Sequence, residues 1–64
     1  MSSKQYYTTH TLKDGMRAEN ERTNEDVLLI SKIDCFADIW IVSGSDENLY
    51  LEWEYNLCNP FYYD

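Results

Sequence analysis

Glu52 and Glu54 stand two residues apart in the stretch Leu49-Tyr50-Leu51-Glu52-Trp53-Glu54-Tyr55-Asn56-Leu57, where apolar and polar side chains alternate. In an extended strand, alternate residues share a face and lie about 6.5–7 Å apart. Two carboxylates so spaced could do acid–base chemistry in a cleft, or present a regular row of negative charge to Arg and Lys side chains. The first needs a cavity deep enough to shift a carboxyl pKa, which is hard to build in a chain of 64 residues. The other reactive types offer little more. His10 is the single histidine and sits among threonines. Ser43 and Ser45 flank Gly44 without the pattern of a nucleophile elbow, and Asp46-Glu47 lacks the ligand spacing of a calcium loop. Cys35 and Cys58 fit no zinc spacing and are too few for a stapled scaffold, so both are expected reduced. The chain therefore reads as a binding protein and not an enzyme, with no catalytic residue, no metal and no cofactor.

The second chemistry gains weight from charge. From Thr23 onward Glu25, Asp26, Asp34, Asp38, Asp46, Glu47, Glu52, Glu54 and Asp64 are opposed by Lys32 alone, whereas the first 22 residues are nearly balanced. A net charge of −7 on so short a chain favours solubility and opposes compaction. An acidic disordered tail is excluded, because 44% of residues are hydrophobic and 16% aromatic. Anionic membranes are excluded as partners on charge, and so is direct nucleic-acid binding, which needs bases to displace counterions. No apolar run approaches the ~18 residues of a membrane span, and Met1-Ser2-Ser3-Lys4 opens no signal sequence. The expectation is a cytoplasmic protein, of the host cell if phage-encoded.

The elements that would hold these residues form one small domain, 1–64, burying roughly 60% of its unfolded surface. Gln5 to Leu12, rich in Tyr and Thr, reads as a strand, and Lys13-Asp14-Gly15 as a hairpin turn. Met16 to Arg22 reads as a weak edge strand or the start of a helix. Thr23-Asn24-Glu25-Asp26 resembles a helix N-terminus, and Leu29, Ile33, Phe36 and Trp40 recur at helical spacing, which predicts a helix over 24–36. A buried strand over Val27 to Ile33 is the competing reading. Ile39 to Val42 and Leu49 to Leu57, joined by the polar Ser43 to Asn48, predict a β-hairpin. The fold class expected is α+β: a three- to four-stranded, mainly antiparallel sheet with one helix across it (ββαββ or βαββ), the alternative being an all-β antiparallel sheet.

In that arrangement Leu49, Leu51, Trp53, Tyr55 and Leu57 face the helix, and Tyr50, Glu52, Glu54 and Asn56 face outward. Asn59-Pro60 ends the strand, leaving Phe61, Tyr62, Tyr63 and Asp64 in an aromatic tail over 59–64. Rigid aromatics of this kind dominate interface hot spots. The candidate partner-binding residues are Asp38, Asp46, Glu47, Tyr50, Glu52, Glu54, Tyr62, Tyr63 and Asp64.

In size, charge and aromatic content the chain resembles, as a likeness of kind, the small acidic proteins that bacteriophages and other mobile elements deploy against host defence. These include anti-CRISPR proteins, anti-restriction DNA mimics and uracil-DNA glycosylase inhibitors. No motif assigns it to one of them. The likeness implies a small inhibitor that sequesters a nucleic-acid-binding protein or nuclease complex by occupying its basic surface. The alternative is a protein–protein interaction module (an adaptor, antitoxin or regulatory subunit, with a homodimer permitted) that binds through its aromatic and apolar surface.

Overall fold

The computed structural model describes residues 3–33 and 38–64, and in them the chain is all-β. Six strands form one antiparallel sheet: β1 (Lys4–Tyr6), β2 (Arg17–Asn20), β3 (Glu25–Lys32), β4 (Ile39–Ser43), β5 (Leu49–Trp53) and β6 (Leu57–Tyr63). A 3₁₀ turn, Glu54–Asn56, links the last two, and the spatial order is β1-β6-β2-β3-β4-β5. No helix of the described residues is long and apolar enough to cross a membrane.

The α+β expectation is therefore corrected to its all-β alternative. The segment expected to be a helix is strand β3 as far as Lys32; positions 34–36 lie outside the described residues. Val27 and Leu29 are buried while Leu28 is only half-buried and Ile30 is exposed, the period of two that branched residues favour on a pleated surface. The apparent capping box is part of a tight turn. Asn20 accepts the Arg22 N–H at 2.9 Å through its side chain and the Asn24 N–H at 2.8 Å through its carbonyl, and Asn24 takes a φ of 57°. Asparagine tolerates that left-handed conformation better than most residues, so the turn closes a β2–β3 hairpin.

Two other elements are displaced from expectation. The Asp14-Gly15 turn forms, with Gly15 at φ 87°, yet it does not join a hairpin, because β1 pairs with β6. The weak segment after it becomes β2, which lies centrally between β6 and β3. The β4–β5 hairpin forms as expected, with Ile39 opposite Trp53 and Ser43 opposite Leu49. Asn59-Pro60 does not stop the chain. Asn59 at φ 49° bulges the strand, and β6 continues to Tyr63, so the expected tail is a sheet strand.

The sheet coils on itself. Asn20 on β2 reaches Glu52 on β5 at 2.8 Å, although two strands intervene and a flat sheet would separate these strands by about 14 Å. The Glu21 N–H donates to the Asn56 carbonyl at 2.8 Å, tying the 3₁₀ turn to the end of β2. The concave face holds the core: Ala18, Val27, Leu29, Trp40, Val42 and Leu57, with Leu12, Met16 and Tyr50 packed against it. Phe61 is enclosed separately by Tyr6, Tyr63 and the Lys4 ammonium, which sits 4.1 Å from its ring centroid.

Candidate functional site

The side chains of β5 stand in the opposite phase to the one expected from sequence. Glu52 is 2% exposed and Tyr50 faces the core, whereas Leu49, Leu51 and Trp53 are 63%, 58% and 47% exposed. The cause is a set of donors inside the coil. One Glu52 oxygen accepts from Asn20 Nδ2 at 2.8 Å and Arg22 Nε at 2.6 Å. The other accepts from Asn56 Nδ2 at 2.9 Å and its neighbour's backbone N–H, on Trp53, at 3.0 Å. Burial acts to raise the Glu52 pKa, but these four donors outweigh it and hold the carboxyl below its ordinary value. Tyr50 bridges the same interior, donating to Glu25 at 3.0 Å and accepting from Asn20 at 2.9 Å.

Glu54 lies in the 3₁₀ turn and does not extend a row with Glu52. It accepts from Trp40 Nε1 at 2.7 Å and pairs with Lys32 at 3.0 Å, and both lower its pKa. The remaining candidates are more open. Asp46 and Glu47 are exposed in the β4–β5 turn, where Asp46 accepts from the backbone and side chain of Asn48. Asp38 is exposed at the opposite end of the hairpin, its carbonyl accepting the Glu54 N–H. Tyr62 and Tyr63 are half-exposed on β6, the first against Tyr7 and the second against Phe61 and Arg17. Asp64, exposed, donates its backbone N–H to the Ser3 carbonyl. The fold thus brings Asp38, Asp46 and Glu47 to the two ends of one hairpin, takes Glu52 into the core, and sets Tyr62, Tyr63 and Asp64 at the far side of the sheet.

Ion pairing sharpens this distribution. Lys4 binds Glu19 and Asp26, Arg22 binds Glu52, and Lys32 binds Glu54. Among the described residues Asp14, Glu21, Glu25, Asp38, Asp46, Glu47 and Asp64 carry no such pair. Glu25 is held instead by the Ser45 backbone N–H at 2.8 Å and the Tyr50 hydroxyl, which lower its pKa. The internal pairs consume most of the bases, so the outward charge is more one-sided than the composition suggests.

Sequence reasoning missed the surface that lies between these acids. Register places Ile39, Ile41 and Ser43 of β4 beside Trp53, Leu51 and Leu49 of β5, all on the convex face. Tyr55 extends the strip by stacking on Trp53 at 5.8 Å, and Ile30 is exposed on neighbouring β3. The strip contains no charged residue, and its ends carry Asp46 and Glu47 on one side and Asp38 on the other. Such a surface can hold apolar groups at its centre and cations at its ends. Compared with protein-family models, curated proteins and solved structures, the chain matches none.

Proposed function

We propose that this chain is a small acidic binding protein that occupies the basic, nucleic-acid-binding surface of another protein and so inhibits or sequesters it, as counter-defence inhibitors of phage type do. It acts in the cytoplasm, without cofactor and without contacting nucleic acid itself. The observation that carries the reading is the outward state of Asp38, Asp46 and Glu47 at the ends of one hairpin, unpaired among the described residues, while three of the five bases, Lys4, Arg22 and Lys32, are held in internal pairs. Carboxylates fixed by a hairpin meet Arg and Lys side chains at lower ordering cost than a flexible tail would, and the one-sided field speeds association at low salt. Glu52 and Glu54 do not supply this contact; their role is internal.

The exposed strip Leu49, Leu51 and Trp53 favours a second reading, a protein–protein interaction module such as an adaptor, antitoxin or regulatory subunit, in which apolar contact dominates and charge is secondary. One experiment separates the two. The protein and its Asp46→Lys/Glu47→Lys variant are used as bait against a host lysate, with washes at low and high salt and with added DNA or RNA. The inhibitor reading expects a nucleic-acid-binding protein that is lost at high salt, displaced by nucleic acid and not retained by the variant. A partner resistant to all three perturbations would reject it in favour of the interaction module.

A further inference from the structure

The two edges of the sheet are not alike. At one edge β1 is three residues long, the blunting by shortness that natural edge strands use. At the other, β5 runs five residues, pairs among the described residues with β4 alone, and has neither Lys, Pro nor a bulge. Its one charged side chain, Glu52, is turned inward and satisfied by four donors, so it offers no charge at the edge. On the convex side the edge is flanked by Leu49, Leu51 and Trp53, and beyond its ends lie Asp46 and Glu47 in one direction and Asp38 in the other.

Resting on the inhibitor reading above, we infer that the β5 edge takes an extended segment of the target as an added strand. That segment is apolar at alternate positions and carries Arg or Lys at both ends. Main-chain hydrogen bonds to the outward Leu49 and Leu51 amides would supply affinity, the Trp53 N–H being held by Glu52 at 3.0 Å, and alternation would supply specificity. Side chains of the added strand on the convex side meet the apolar strip, and its terminal bases meet the unpaired carboxylates. Side chains on the concave side lie beside Tyr50 and Glu52, whose hydrogen bonds are already satisfied, so small polar residues fit there.

Charge decides between this occupant and a second copy of the chain. Two β5 strands paired antiparallel about Leu51 would set Leu49 against Trp53 of the partner copy, a good apolar match. The same register sets Asp46 and Glu47 against Asn56 and Tyr55 of the other copy, so the turn acids meet no base there, and two copies of net charge −7 repel. A basic-ended strand converts that repulsion into attraction.

The test uses the whole protein, ¹⁵N-labelled, titrated with a short blocked peptide that alternates valine with threonine and carries arginine at each end. A second peptide has glutamate at the ends. Expected are shifts in the amides of Leu49 to Trp53 and slowed exchange of the outward Leu49 and Leu51 amides, the Trp53 N–H being already held by Glu52. Binding should be at least about tenfold weaker for the glutamate-ended peptide, and likewise on raising salt several-fold. Leu51→Thr, a surface change that leaves the fold intact, should weaken it about fivefold or more. Shifts confined to Asp38, Asp46 and Glu47, untouched by Leu51→Thr, would overturn strand addition while sparing the inhibitor reading. Equal binding of both peptides would overturn the basic occupant and that reading together. Absence of any shift at millimolar peptide would overturn the inference, as would concentration-dependent broadening of β5 in the protein alone, which would identify a second copy as the occupant.

Discussion

Replacement of Glu52 should remove a large share of the stability, although its position in an alternating strand looks like that of a solvated surface acid. A chain of this length has about 3–10 kcal/mol of total stability. Breaking a buried charge pair by deleting one partner costs roughly 3–5 kcal/mol. Glu52→Ala falls at the lower end, about 3 kcal/mol, because the Arg22 side chain is 54% exposed and regains water, leaving Asn20 and Asn56 to bear the loss. Glu52→Gln keeps the shape but turns an amide donor toward the Trp53 N–H and Asn56 Nδ2, for a cost of about 1–3 kcal/mol. Arg22→Ala should cost only about 1 kcal/mol, since the carboxylate keeps its other three donors. The expected order of damage is Glu52→Ala, Glu52→Gln, Arg22→Ala. Urea unfolding followed by tryptophan fluorescence measures it, because Trp40 is 2% exposed and must enter water on unfolding. Both Glu52 variants lying within about 0.5 kcal/mol of the parent would refute the buried network.

Further outcomes follow from other contacts. A Cβ at Gly44 would lie 2.8 Å from Glu25 Oε1 and 3.2 Å from the Tyr50 ring, so Gly44→Ala should destabilise by about 1–2 kcal/mol. The loss should shrink when Glu25→Ala is added, a non-additivity that a double-mutant cycle in urea would detect. Glu19, hydrogen-bonded by Tyr6, Asn59 and Lys4, has its pKa lowered from 4.5 to about 2. Its contribution, on the order of 1–3 kcal/mol, is complete above pH 4.5 and is lost as pH falls toward 2, so Glu19→Gln should flatten the stability profile across that window. Lys4 holds Glu19 and Asp26 at 3.0 Å and covers the Phe61 ring; Lys4→Met should cost about 1–2 kcal/mol and speed hydrogen exchange first in β1, read residue by residue by NMR.

The β4–β5 hairpin was legible in the sequence because its strands are separated by an unmistakable polar turn. Strand β3 was not, because Leu29, Ile33, Phe36 and Trp40 satisfy a helical period while Val27 to Ile33 also satisfies a strand, and a short apolar run does not choose between them. What chose was tertiary pairing, with β2 on one side and β4 on the other. Among the described residues the all-β sheet has no helix to cover the convex face, and the side on which Leu49, Leu51 and Trp53 project is open. The carboxylates of the loops could be placed from the sequence, since turn acids have nowhere to go but outward. Those of the strand could not.

The reason lies in the symmetry of alternation. A strand reading apolar, polar, apolar, polar fits a sheet in either phase, and a shift of one residue exchanges its faces completely. Hydrophobicity alone favours burying Leu49, Leu51 and Trp53. The opposite phase is held by polar residues outside the strand: Asn20 and Arg22, 32 and 30 positions earlier, and Asn56, four positions on, converge on one carboxylate, and Asn20 is itself only 1% exposed. Three donors directed at a single acid make sense only if the acid is inside. The choice has a consequence for stability. Leaving two leucines and a tryptophan largely in water forfeits several kcal/mol that a small core can ill spare, at about 25 cal/mol per Å². A polar network that turns the strand and an uncovered apolar edge are hard to reconcile with stability as the end they serve, and they agree with the proposal of a surface kept open for a partner.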